Sequence, residues 1–403
     1  MFKFKSTFII SLILVLIFGC FCITSMAVEP IKIGLVSPKS GNYAEHGNME
    51  RIGMKLAVED FGGMVLGRPI ELIEVDSETN PDIAARRAKK LIEVDNVKFL
   101  MGGVSSSVGA AIGAVCHELG SIFIATNENS DELTGVKFAN KHMFRVPPNM
   151  AILVRGAAPY VAENLGKKWF FITHDYTWGQ SGTRWARFML DEVGAKEIGE
   201  ILVPMGTRDF SSHLLQVANS GADVVCVTVG GFDGSALYKQ MSEFGIFDKM
   251  KVWWTLADYP DSWTLKPEQR GRYGMAEIYH TVTPGLLELS KRIKEGFSDA
   301  AVPVVETNSY HGWLGMTAIL KAIEHAGTTD VDAVIKAMEG LVICDNLQPD
   351  PTYIRPWDHQ FIDSCFFIHD LKVPGDDICE VLYTCHAKDF ARTISENPVD
   401  LTK

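Results

Sequence analysis

Short apolar runs alternate with amphipathic helical patterns along nearly the whole chain, and this alternation restricts the fold more than any other feature. Strands are expected at 31–37, 70–76, 99–102 and 122–125, separated by helical periodicity over 45–61, 81–93 and 107–119. Pro81 directly after Asn80 is a helix-start signal. Repeated βα units need a parallel sheet covered on both faces. The pattern breaks at Phe144-Arg-Val-Pro-Pro148 and restarts, with strands at 169–173, 198–203, 224–229 and 252–255 and helices near 151–165, 179–193, 210–219 and 235–244. After the strand-like stretch 274–280, the helical patterns 286–297, 309–326 and 331–338 have no strands between them. They would pack best on the first sheet, so the chain must cross back. The tail from Tyr353 again has strand-like pieces such as 361–369. The fold class is therefore α/β: two lobes with parallel-sheet cores, 28–147 plus 281–345 and 148–280 plus 346–403, joined by a multi-strand hinge. Such a hinge lets a cleft close on a ligand held at the carboxyl ends of the strands.

The segment before the first strand has its own signature. Lys3 and Lys5 precede an apolar run from Phe8 to Phe18, and the small-residue site Ser25-Met26-Ala27 follows. This reads as a secretory signal peptide, residues 1–27, and the run is too short to span a bilayer in a mature protein. Ile17-Phe-Gly-Cys20 resembles a lipoprotein cleavage box, although Phe18 fits it poorly, so a lipid anchor on Cys20 is the alternative processing route. The net charge of -12 becomes more negative when the two leader lysines are removed. That balance argues against nucleic acid or an anionic membrane as partner. Beyond Cys20 and Cys22 of the leader there are six cysteines, four of them (Cys344, Cys365, Cys379 and Cys385) in the last sixty residues. In an oxidising compartment this clustering predicts one or two disulfides holding the C-terminal segment, with the pairing left open. The spacing is not that of a zinc site, and no metal or other cofactor is expected.

Ile31-Lys-Ile-Gly-Leu-Val-Ser-Pro-Lys-Ser-Gly41, Leu56-Ala-Val-Glu-Asp60, Gly102-Gly-Val-Ser-Ser-Ser107, Ser130-Asp-Glu-Leu-Thr-Gly135, Asp175-Tyr-Thr-Trp-Gly179, Gly230-Gly231 and Ala322-Ile-Glu-His-Ala-Gly327 form an ordered set. The set resembles the leucine/isoleucine/valine-binding proteins, the type I periplasmic binding proteins of ABC importers. The resemblance covers nearly the whole mature chain. It implies two Rossmann-like lobes with three hinge strands, export, a small-molecule ligand and delivery to an ABC permease in the membrane, with the binding protein itself a monomer.

The candidate ligand-binding residues follow from the residues and that resemblance together. Ser105 and Ser106 open a helix after a strand, where amides and hydroxyls suit a carboxylate; the plain alternative is an N-cap. The family's carboxylate-binding serine aligns with Ser105. Asn127 and Asn129 match positions that hold the amino-acid head group in the family, and here both offer amides. Glu128 between them is expected to face solvent. Trp178 and Phe232 stand where relatives often carry tyrosine, which predicts an aromatic cage, with ordinary packing as the alternative and Tyr176 as a lesser candidate. The family's ammonium-binding acid would fall near Ala257, so Asp258 serves only with a one-residue shift, and Tyr259 could also line the cleft. His46 aligns with a first-lobe side chain that touches ligand in relatives. Asp358-His-Gln360 lies where the chain returns across the hinge and suggests a hinge hydrogen-bonding role.

Enzyme readings find little support, since no nucleophile-elbow, zinc-protease, P-loop or dinucleotide fingerprint is present. The function expected is capture of a small amino acid, or a related, aromatic or aliphatic, carboxylate or amide, for an ABC importer. A sensory module that docks on a membrane receptor would use the same fold, and an exported hydrolase is the remaining class.

Overall fold

In the computed structural model, residues 28–257 and 259–402 are described. The leader 1–27 with Cys20, and Asp258, lie outside the described residues, as does the side chain of Tyr259. The first sheet contains β1 (Ile31–Ser37), β2 (Met64–Val65), β3 (Arg68–Asp76), β4 (Phe99–Gly102), β5 (Ile122–Ala125) and β6 (Met143–Arg145), in the order β2-β3-β1-β4-β5-β6. All neighbours are parallel except the short β2–β3 hairpin. Its strands are apolar on both sides because helices cover both faces. Val36, Leu100, Phe123 and Ala125 pack under helices Pro81–Glu93 and Ser106–Leu119. Ile33, Leu35, Met101 and Ile124 pack under helices Ala44–Asp60, Pro284–Gly296, Thr307–Ala326 and Val331–Met338. The late helices therefore do return to the first sheet.

The second sheet contains β7 (Lys168–His174), β8 (Lys196–Val203), β9 (Val224–Thr228), β10 (Lys251–Trp254) and β11 (Tyr273–Ala276). The chain then forms a small antiparallel sheet of β12 (Val342–Cys344), β13 (Thr352–Ile354) and β14 (Phe361–Ile362) before β15 (Ser364–Asp370) and β16 (Cys379–His386) rejoin the second sheet. The order is β16-β15-β11-β10-β9-β7-β8, with β15 and β16 antiparallel. The fold is thus two α/β lobes, each built on its own sheet.

The chain passes between the lobes after β6, after β11 and between β14 and β15. Two of these passages are bonded to each other. Arg145 bridges Gln360 in parallel register, its Nε donates to Gln360 Oε1 (2.8 Å), and Gln360 Nε2 donates to Pro147 O (2.7 Å). The helix beginning at Pro81 has the start read from sequence: Asn80 Oδ1 accepts from Asp82 N (3.0 Å) and Ile83 N (3.1 Å).

The disulfide expectation is corrected, since all six cysteines among the described residues are free thiols. Cys116 and Cys226 belong to the cores of different lobes, and Cys379 Sγ donates instead to Asp370 Oδ1 (3.1 Å). Cys365 and Cys385 face each other across β15 and β16 as buried thiols.

A candidate ligand cleft between the lobes

Loops at the carboxyl ends of the strands meet between the lobes and line a half-open void whose free space, open solvent included, is about 370 Å³. Lobe 1 contributes Tyr43 and His46 after β1, Val104 after β4, and Asn127 and Asn129 after β5. Thr307 and Asn308 add the start of a helix. Lobe 2 contributes Tyr176 and Trp178 after β7, Gly230 after β9, Leu256 after β10 and Glu277 after β11. This is where open parallel sheets place ligands. The lobes touch across the void: Tyr43 Oη and Tyr176 Oη are 2.7 Å apart, and Ser107 Oγ and Thr177 Oγ1 are 3.1 Å apart.

The lobe 1 wall is polar and held from behind. Asn127 Nδ2 donates to Glu50 Oε1 (3.2 Å), and Asn127 Oδ1 lies 3.2 Å from His311 Nδ1. Glu50 is fully buried and also accepts from the hydroxyls of Ser37 and Thr126. Burial raises its pKa to about 7, against the pull of these donors. Asn129 Nδ2 donates to Pro148 O (2.9 Å) and to the Glu277 carboxylate, so one amide bonds a passage between the lobes and an acid from lobe 2. Val104 sits at φ +60° with Ser105 N donating to Gly103 O (2.7 Å). A β-branched residue in the left-handed region costs about 1–3 kcal/mol, and such strain concentrates at binding sites.

The lobe 2 wall is aromatic and aliphatic. Trp178 is 6 % exposed and lies 6.1 Å from the Tyr176 ring. Its buried indole Nε1 has no hydrogen-bond partner among the described residues.

Of the residues singled out in the sequence, His46, Asn127, Asn129 and Trp178 come together at the void, with Tyr176. Ser105 and Ser106 are buried behind the wall. Ser105 caps its helix by backbone position with no side-chain cap bond, and Ser106 Oγ accepts from Ser130 N (3.3 Å), which steadies the loop carrying Asn127 and Asn129. Phe232 is half-buried outside the void, with the Arg208 guanidinium 5.4 Å over its ring. Glu128 is corrected: it is fully buried rather than solvent-facing. Its Oε2 accepts from Asn127 N (2.8 Å), and its carboxyl fills space left by Gly103 and Gly109. Burial, reinforced by nearby Glu50, holds its pKa well above the usual carboxylate range. The residues that sequence reasoning missed are Tyr43, Val104, Leu256, Glu277, Thr307 and Asn308. A signal for Glu277 was present, since it immediately follows β11 and every parallel strand of this sheet ends at the cleft side.

Residues 30–373 match the profile of the periplasmic binding protein family, and the chain belongs to that family. It is 25 % identical over 331 residues to the leucine-, isoleucine-, valine-, threonine-, and alanine-binding protein of Pseudomonas aeruginosa, covering 78 % of this chain and 83 % of that one. It is 26 % identical over 335 residues to Leu/Ile/Val-binding protein homolog 7 of Brucella suis, covering 79 % and 82 %. Among solved structures, a periplasmic binding protein from Burkholderia mallei superposes with a TM-score of 0.86 at 27 % identity, covering 93 % of this chain and 100 % of that one. An amino acid ABC transporter substrate-binding protein from Pseudomonas fluorescens Pf-5 gives 0.84 at 26 % identity, with coverage of 93 % and 100 %. The relatives are solute-binding proteins, not enzymes.

Proposed function

We propose that this protein captures a small amino acid for an ABC importer. It is exported under the leader 1–27, works as a monomer and presents its closed, ligand-loaded form to a membrane permease. Lobe 1 is 28–147 plus 281–345, lobe 2 is 148–280 plus 346–403, and the ligand is held where they meet. The observation that carries the reading is the Glu277 carboxylate in a void also lined by the Asn127, Asn129 and Asn308 amides and by Trp178 and Leu256. A carboxylate there is a partner for an α-ammonium, which would be costly to bury unpaired. The amides of Asn127 and Asn308 can serve the head group, and the Trp178 and Leu256 side chains suit an apolar ligand body. This moves the ammonium-binding role from Asp258 to Glu277. The amino-acid binding named for the Pseudomonas aeruginosa relative is of the same kind.

A thermal-shift screen of refolded, ligand-stripped protein tests it. The panel is leucine, phenylalanine, their deaminated acids and their amides. A ligand at 100 times its Kd stabilises by about 2.7 kcal/mol, enough to stand out. An amino acid is expected to raise Tm while its deaminated acid does not. Trp178→Ala should weaken that binding by about 10–100-fold, and Glu277→Gln should erase the preference for the amine, both read by calorimetric titration. A panel without any shift would refute the amino-acid reading. A shift by the acids alone would reassign the ligand to carboxylates.

A further inference from the structure

The helix Gly231–Glu243 of lobe 2 has glycine at its N-cap, Gly230, so its own segment supplies no side chain to cap it. The first N–H groups of a helix have no partner within it. Here two of them are satisfied from the other lobe. Phe232 N donates to Asn42 O (3.1 Å), and Asp233 N donates to Asn42 Oδ1 (3.1 Å). The same side chain returns a bond, with Asn42 Nδ2 donating to Gly230 O (3.1 Å). The side-chain contact to Asp233 N is the one that an N-cap asparagine ordinarily makes within its own chain segment. Space for it depends on Gly231, which sits at φ +66°; a Cβ there would lie 2.6 Å from Asn42 O and 2.8 Å from Asn42 Nδ2. The receiving side is held firmly, because the Asp233 carboxylate accepts from Gly206 N (2.6 Å) and lies 3.1 Å from His174 Nε2 and 3.2 Å from Arg208 Nη1.

We propose that Asn42 caps this helix from the opposite lobe, and that this cap sets the stability of the closed cleft and therefore ligand affinity. Asn42 is 7 % exposed and does not line the void, so it acts through the lobes and is a positioning residue. The inference rests on hinge closure as the mode of capture. When the lobes part, these bonds pass to water, so their contribution belongs to the closed state alone. A ligand's apparent affinity scales with the fraction of protein competent to hold it. Loss of a capping asparagine corresponds to about a tenfold fall in the ratio of closed to open protein. The next residue, Tyr43, forms part of the pocket wall and meets Tyr176, so cap and wall move as one segment.

Hydrogen–deuterium exchange on the full chain as purified tests the cap without knowing the ligand. Amides 232–233 are expected to be protected in the parent protein. They should exchange about tenfold faster in Asn42→Ala and in Gly231→Ala, while the amides of β9 stay unchanged in both. Gly231→Ala keeps the asparagine and removes only its space, so it separates the cap from any local role of Asn42 in lobe 1. Equal exchange in parent and Asn42→Ala, or no protection in the parent, overturns the proposal. With L-leucine as probe, Asn42→Ala should raise the dissociation rate about tenfold with little change in association. Absence of leucine binding to the parent counts against the amino-acid reading alone, because the exchange result still decides the cap.

Discussion

Single residues here are set by neighbours far away in the chain, and the buried acids illustrate it best. Glu50 is fully buried and Asp363 nearly so, and burial raises each pKa to about 7. Between the ordinary value of 4.5 and 7, the folded chain keeps a proton on Glu50 that the unfolded chain has released. The stabilisation is therefore fully present below about pH 4.5 and is lost as pH rises toward 7. Integrated over that window, the Glu50 share is at most about 3 kcal/mol. Glu50→Gln should flatten the fall in stability across this range, as read by urea denaturation at several pH values; an unchanged slope would mean that the carboxyl is not dry. Residue-level reading put Asn127, Asn129 and Trp178 at the cleft between the lobes, and the structure also places them there. The same reading failed at Glu128, because nothing near that acid in the sequence says that Gly103 and Gly109 leave a space for its carboxyl.

At the scale of elements, the apolar runs that became β1, β4 and β5 were legible to the residue, because each is short, apolar apart from Lys32 and Ser37 of β1, and ended by glycine or polar residues. The strands β2, β12 and β13 were not, since two or three residues carry no periodicity and exist only through partners distant in sequence, and β14 was read only as the start of the longer piece 361–369. The helix Gly231–Glu243 was read as starting near Ser235, four residues late, for a related reason: its cap lies in the other lobe and leaves no local start signal. The closest helix contact is between Ala44–Asp60 and Thr307–Ala326. A Cβ on Gly53 would meet Ser309 O at 1.8 Å, and one on Gly312 would meet Glu50 O at 2.2 Å. Alanine at an open helical glycine gains up to about 1 kcal/mol in propensity, whereas overpacking costs about 1–3 kcal/mol. Gly53→Ala and Gly312→Ala should therefore destabilise. Gly296→Ala, at the end of another helix with nothing within 4 Å, should not. Denaturant midpoints of the three variants give the signs, and stabilisation by Gly53→Ala would contradict the close crossing.

For the whole molecule, two lobes and a cleft followed from the order of strands and helices, while the way the tail spans both lobes did not. Arg392 pairs with the buried Asp131 of lobe 1 (3.2 Å) and donates to Asp131 O (3.1 Å), and Asn397 Nδ2 donates to Thr134 O (2.8 Å). A few residues on, Glu396 pairs with Arg155 on a lobe 2 helix at the surface. Arg392→Ala strips a partner from a buried carboxylate and should cost about 3 kcal/mol or more. Arg155→Ala breaks a partly exposed pair and should cost about 1 kcal/mol or less. Equal losses in chemical denaturation would show that the tail is not anchored through Asp131. The same wiring fixes an order of events during synthesis. One hydrophobic face of the first sheet is covered by Ala44–Asp60 and by three helices that lie after the whole of β7–β11, so the lobe begun first is finished late. A nascent chain carries that face only partly covered until Met338 has been made, and any machinery that handles it unfolded has that interval in which to act.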